Sequence, residues 1–128
     1  MKLPVRVYYQ DTDAGGVVFH AQYLAFMERA RTELLNAAGV DLARIVDKHG
    51  LQIMVHHLSV TYHQPARLNE LVSVSAEVVR IGRASIVFRQ TVERTGELLV
   101  EAQVTLAVVH RARMKPARMP EELEQALS

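Results

Sequence analysis

Two aspartates, two adjacent glycines and a histidine fall within the stretch Tyr8–His20, YYQDTDAGGVVFH. Aspartates are common turn formers, and His20 stands where a helical pattern begins, so each residue has an ordinary structural reading. For Asp11 that reading is preferred. Asp13 differs, because Ala14-Gly15-Gly16 follow it and are small enough to let a ligand or another backbone approach closely. It also precedes His20 by seven residues, which puts a carboxylate near the free N–H groups of a helix start. That pairing suits acyl chemistry: the N–H donors polarise a carbonyl while the carboxylate attacks it or activates water.

Other chemistries find little support. The chain has no cysteine, which excludes disulfides, thiolate metal sites and cysteine nucleophiles. Its serines are Ser59, Ser73, Ser75, Ser85 and Ser128, and none sits in a G-x-S-x-G elbow. Gly15-Gly16 lacks the spacing of either phosphate-binding glycine fingerprint. His49, His56, His57 and His63 are close in sequence, but on a strand His56 and His57 point to opposite faces and do not converge on one ion. They are read as strand and loop histidines, and no metal site is expected.

The elements that must position Asp13 and His20 show in the hydrophobic periods. Ala21–Ala38 carries apolar residues at Tyr23, Phe26, Met27, Ala30, Leu34, Ala37 and Ala38, one face of a helix, with Arg29 and Glu33 spaced to pair on the other. Gly39 can take the left-handed position that ends it. Leu3–Tyr9 reads as a first strand, and Asp41–His49 as a short helix between Asp41 and Gly50. From Leu51 the period becomes two, in segments around Leu58–Tyr62, Val72–Val78, Ile86–Val92 and Leu98–Val108. Turns are predicted at Pro65–Asn69, Ile81–Ala84 and Arg94–Glu97, and a two-turn helix over Glu121–Leu127. A single apolar helix stripe and a single apolar sheet face must cover each other. The fold expected is therefore α+β, a five-stranded antiparallel sheet wrapped around a long central helix, the hot-dog architecture, in a single domain over residues 1–128. Its long apolar edge strands need a partner, so at least a dimer is expected.

Composition agrees with one globular domain: 49% hydrophobic residues and a net charge of +1. Neither a basic face for nucleic acid nor a membrane-inserting stretch is evident, and MKLPVRVYYQ has no signal-peptide core. A cytoplasmic protein is the plain expectation.

The same residues carry a specific resemblance. VRVYYQDTDAGGVVFHAQYLAFMERARTELL resembles the N-terminal signature of hot-dog thioesterases of the 4-hydroxybenzoyl-CoA thioesterase family, and within it the YbgC-like acyl-CoA thioesterases of the Tol–Pal gene cluster. VTYHQPARLNELV, ASIVF and MKPARMP extend the likeness over nearly the whole chain. The resemblance implies hydrolysis of acyl-CoA or acyl-carrier-protein thioesters. It implies Asp13 as nucleophile or general base, the His20 backbone N–H as polarising donor, and the His20 side chain and Tyr9 as orienting groups. The leaving thiol, with a pKa near ~8.5, departs as thiolate without a strong acid. Gly16, Val17 and Phe19 on the same loop, with Arg80, Arg83 and Ser85 around the Ile81–Ala84 turn, are the implied substrate-binding residues, the arginines toward the nucleotide phosphates. Arginines in turns are also commonly just solvated. Coenzyme A enters as part of the substrate, and no cofactor is implied. Homodimers or homotetramers are implied, with each site at a subunit boundary. Few aromatic residues, three Phe and no Trp, favour aliphatic acyl groups. A dehydratase or hydratase on the same fold, or a non-catalytic acyl-CoA-binding module, are the alternative readings.

Overall fold

The computed structural model describes residues 1–128. Its elements run β1 (Lys2–Arg6), a 3₁₀ turn (Tyr9–Asp11), α1 (Gln22–Ala37), α2 (Leu42–His49), β2 (Leu51–Tyr62), β3 (Leu71–Ser75), β4 (Glu77–Ile81), β5 (Ser85–Arg94), β6 (Glu97–His110) and α3 (Glu121–Leu127). All pairings are antiparallel, in the order β1-β3-β5-β6-β2, with β4 also on β5. α1 lies across one face of this sheet, which is the hot-dog architecture. No helix is long and apolar enough to cross a membrane.

The sheet has six strands where five are expected, because the third breaks at Ala76. There the Ser75 hydroxyl, not a backbone carbonyl, accepts the Thr91 N–H at 2.7 Å, and the Gln90 side chain donates to Ser75 O at 3.0 Å. β3 and β4 consequently lie end to end along one edge of β5.

Bulges account for the remaining departures from strict alternation. In β2 the register slips at His56, so that Ile53 and Val55 before it, and Leu58, Val60 and Tyr62 after it, all oppose inward residues of β6. A slip opposite Glu93 turns Leu99 into the core and leaves Leu98 half-exposed, the reverse of the simple pattern. The tight turn after β5 forms as expected, with Thr95 and Gly96 both at positive φ (50° and 83°), the two-residue type that matches strand twist.

The helix stripe is close to the expected one. Tyr23, Phe26, Met27 and Ala30 are buried against Val72, Val74, Phe88, Val92 and Val104 in one core. At the far end Leu35 is buried, while Ala37 and Ala38 are exposed, because the 3.6-residue repeat rotates the stripe before the helix stops. Arg29 does not pair with Glu33; its guanidinium lies 5.8 Å from the Phe26 ring centre. α2 is capped by the Asp41 side chain on Arg44 N–H and ends at Gly50 as the sequence implies.

The outer edges of β1, β4 and β2 remain open. Along β2, Met54, Val55, Leu58 and Tyr62 are all exposed, an apolar edge that one chain alone leaves uncovered.

Candidate active site

The chain between β1 and α1 is a short hairpin. Thr12 bridges Val18, Asp13 N–H donates to Val17 O at 2.9 Å, and Gly16 N–H donates to Asp13 O at 3.1 Å. Gly16 turns the corner at φ 78°, which a side chain would strain. Asp13 Oδ1 accepts the Gly15 N–H at 2.8 Å, and a Cβ at residue 15 would lie only 3.2 Å from that oxygen. The carboxylate is exposed and bonds only to its own loop.

Asp11 occupies a different setting. It is 2% exposed, and its carboxylate accepts Tyr8 N–H at 2.7 Å and the Gln22 side chain at 2.9 Å. Its carbonyl accepts Phe19 N–H at 3.0 Å. Asp11 thus ties the 3₁₀ turn to the first residue of α1, as its structural reading expects.

From behind, the hairpin rests on the loop that follows β2. Val18 N–H donates to Ala66 O at 2.9 Å, and Ala66 N–H donates to the Tyr23 hydroxyl at 2.9 Å. Arg94 braces that loop through Pro65 O at 3.2 Å and Glu70 at 2.8 Å. Burial pushes the Glu70 carboxyl upward, but the Arg67 N–H and the Arg94 guanidinium outweigh it and hold the group below its ordinary value.

α1 begins at Gln22, with Ala21 at its N-cap and no side chain capping it. Alanine is among the poorest N-caps, so the sequence leaves the helix start unsatisfied. The N–H groups of His20 and Ala21 donate to nothing within the chain. The exposed Phe19 and His20 rings sit 4.4 Å apart between centres. A cavity of about 260 Å³ opens beside them, lined by Val18, His20, Tyr23, Tyr62, His63 and Gln64 among others. A separate, largely apolar cavity of about 240 Å³ lies farther along α1, between Leu35, Phe88 and Leu123. His20, one of the two residues with a spare N–H, lines the first and not the second.

The hairpin places Asp13, Gly16, Val17, Phe19 and His20 on one short segment. Tyr9, 82% exposed, makes no side-chain hydrogen bond to Asp13 or His20 within the chain. Arg80 and Arg83 are exposed and form no ion pair, while the Ser85 carbonyl closes their turn by accepting Gly82 N–H at 2.8 Å. That turn precedes the first residue of β5, whereas the hairpin rests at the end where Arg94 closes the same strand. Over the ten residues of β5, at about 3.3 Å each, the separation is roughly 30 Å. One chain therefore does not bring these arginines to Asp13. Tyr62, which no motif marks, donates its hydroxyl to His20 O at 2.8 Å. The available signal was a tyrosine on an edge strand, a residue whose hydroxyl seeks a partner.

The histidines make other contacts. His49 pairs with Glu122 and His63 lies 3.5 Å from Glu101, while His56 and His57 are exposed on β2.

Comparison with known proteins identifies the family. The thioesterase superfamily model matches residues 15–105. The chain is 42% identical over 123 residues to the acyl-CoA thioesterase YbgC of Haemophilus influenzae, covering 96% of this chain and 90% of that protein. It is 40% identical over 121 residues to the acyl-CoA thioester hydrolase YbgC of Escherichia coli O6:H1, covering 94% and 90%. The crystal structure of a probable thioesterase from Bartonella henselae superposes with a TM-score of 0.87 at 31% identity, covering 94% of this chain and 98% of that one. With the family model spanning well over half of its residues, this chain belongs to the thioesterase superfamily.

Proposed function

We propose that the protein is an acyl-CoA thioesterase that hydrolyses the thioester to free acid and thiol at the Asp13 hairpin. One observation carries the reading: an exposed carboxylate bonded only to its own loop shares a short segment with helix-start N–H groups that have no partner. The relatives named as acyl-CoA thioesterases support the substrate class. The thioester carbonyl oxygen takes the His20 N–H, where helix-dipole and hydrogen-bond donation stabilise developing negative charge. Either Asp13 attacks the carbonyl carbon, the thiolate leaves and water then cleaves the acyl-aspartyl anhydride to free acid, or Asp13 takes a proton from a water that attacks the carbonyl directly and the thiolate leaves as the adduct collapses. Tyr9 and the His20 ring orient Asp13, water or substrate. Gly16, Val17 and Phe19 line the approach, and acyl-carrier-protein thioesters are substrates of the same chemistry.

The roughly 30 Å between Arg83 and the hairpin supports a site completed by a second copy of the chain. The open apolar edge at β2 supports the same assembly, a homodimer or a tetramer of such dimers. The partner's β4–β5 turn then brings Arg80, Arg83 and Ser85 toward the nucleotide end of CoA.

Thiol release from a panel of acyl-CoA thioesters tests the reading, run beside water loss from a 3-hydroxyacyl-CoA. The expected outcome is thiol release that falls by at least ~10²-fold in Asp13→Asn while the melting temperature holds. Water loss without thiol release would place the protein among dehydratases. Tight binding without turnover of any thioester would make it a binding module.

A further inference from the structure

Tyr62 is the last residue of the edge strand β2, yet its hydroxyl reaches the start of α1, 42 residues away in sequence, and donates to His20 O at 2.8 Å. Its ring is held on two sides. Tyr23 lies 5.7 Å away between ring centres at 58°, and His20 lies 6.5 Å away edge-on. Tyr23 is itself buried and anchored through Ala66 N–H. The strand end is fixed in turn by pairing with β6, Tyr62 opposite Val100. The hydroxyl is therefore placed by the strand end together with the Tyr23 and His20 rings that flank it.

The carbonyl it binds has no other partner. Gln22 N–H goes to Phe19 O and Leu24 N–H to Ala21 O, so the first turn of α1 passes over His20 O. That carbonyl belongs to the same planar trans peptide as the Ala21 N–H, and the two point in opposite directions. Fixing the oxygen therefore fixes the direction of the N–H. A hydrogen bond accepted by the oxygen also polarises the amide and strengthens its N–H as a donor. The Ala21 N–H donates to nothing within the chain, and neither does the N–H of His20, one residue before it.

We propose that Tyr62 is a positioning residue that aims and strengthens the Ala21 N–H as a second donor to the thioester oxygen, beside the His20 N–H. The inference rests on the thioesterase reading above. The relay runs from the Tyr62 hydroxyl through the His20–Ala21 peptide to the substrate oxygen, and no proton is transferred along it. Burial raises the Tyr62 phenol above its ordinary value, so it stays a donor at neutral and mildly alkaline pH.

The test compares wild type with Tyr62→Phe, which keeps the ring and its packing and removes the hydroxyl. The expected result is a kcat about tenfold lower, with KM for acyl-CoA within about twofold, because the lost interaction strengthens only as charge develops on the oxygen. A second readout is the thioester C=O stretching frequency of acyl-CoA bound to the Asp13→Asn protein. It should lie below that of free acyl-CoA and move back toward it when Tyr62→Phe is added. A 3-fluorotyrosine at position 62, a stronger donor of nearly the same shape, should keep kcat at or above wild type. Unchanged kcat in Tyr62→Phe, an unmoved carbonyl stretch, or a 3-fluorotyrosine protein as slow as Tyr62→Phe would overturn the proposal while wild-type turnover stands. A wild-type protein that neither releases thiol nor shifts the bound carbonyl would overturn the thioesterase reading and this relay with it.

Discussion

Two polar clusters touch α1, and they are built on opposite terms. Midway along the helix Gln90 is fully buried, and each end of its amide is satisfied. Its nitrogen donates to Met27 O at 2.9 Å and Ser75 O at 3.0 Å, and its oxygen accepts from Arg31 at 2.8 Å. At the helix start Asp13 is exposed, and the His20 and Ala21 N–H groups have no partner. Buried polar groups without partners are costly, so a closed network such as that around Gln90 holds helix and sheet together. Exposed groups left spare cost the fold little and remain free for a ligand. Saturation thus separates the closed cluster midway along α1 from the spare groups just before its first turn.

Substitutions can sharpen or break that contrast. Gln90→Leu should produce the largest change in stability, about 2–3 kcal/mol by urea unfolding, because Ser75 O and the Arg31 guanidinium lose their partner in an apolar setting. Turnover of the folded protein should persist, and a variant that keeps its stability would show that the Gln90 network holds nothing. Burial already depresses the Arg31 pKa, so this guanidinium is poorly placed to lose an acceptor.

The exposed arginines sit at the other extreme. Arg80→Ala with Arg83→Ala should leave stability within about 0.5 kcal/mol. It should raise KM for acyl-CoA several-fold with kcat nearly unchanged, since the nucleotide is remote from the breaking bond. Added salt should raise the wild-type KM in the same direction, screening over ~8 Å. An equal change with an acyl-pantetheine lacking the nucleotide would remove these arginines from phosphate recognition.

The smallest effect concerns alkaline pH. Burial raises the Tyr23 phenol above its ordinary 10.0, against the opposing pull of the Ala66 N–H. A folded pKa above the unfolded one means that Tyr23 contributes fully below about pH 10 and that this contribution is lost as pH rises through the folded value. The urea midpoint should therefore decline above about pH 10, and Tyr23→Phe should make that decline shallower. An equally steep decline in Tyr23→Phe would place the alkaline sensitivity elsewhere.

Much of this was legible in the residues. The apolar stripe from Tyr23 to Ala30, the Asp41 and Gly50 caps of α2, and the Thr95-Gly96 turn are local signals, and each appears where the sequence puts it. The bulge at His56 was not legible, because nothing in the VHHL run marks an inserted residue, and one insertion reverses every later side chain of β2. The division of the third strand at Ala76 depends on Ser75 and Gln90 side chains meeting across strands, which no local pattern shows. Among site residues, the contrast between Asp11 and Asp13 could be argued from the flanking glycines. The distance from Arg83 to the hairpin, and the reach of Tyr62 to His20, required the assembled sheet.

The most direct test sets the two aspartates side by side, measuring thiol release from acyl-CoA and the melting temperature on the same preparations of Asp11→Asn and Asp13→Asn. Asp13→Asn should lose at least ~10²-fold in turnover with its melting temperature unchanged. Asp11→Asn should lose about 1–2 kcal/mol of stability, as Tyr8 N–H and the Gln22 side chain lose a charged acceptor, and keep most of its turnover. Near-normal turnover in a folded Asp13→Asn protein, or an equal loss of turnover from both, would contradict the account.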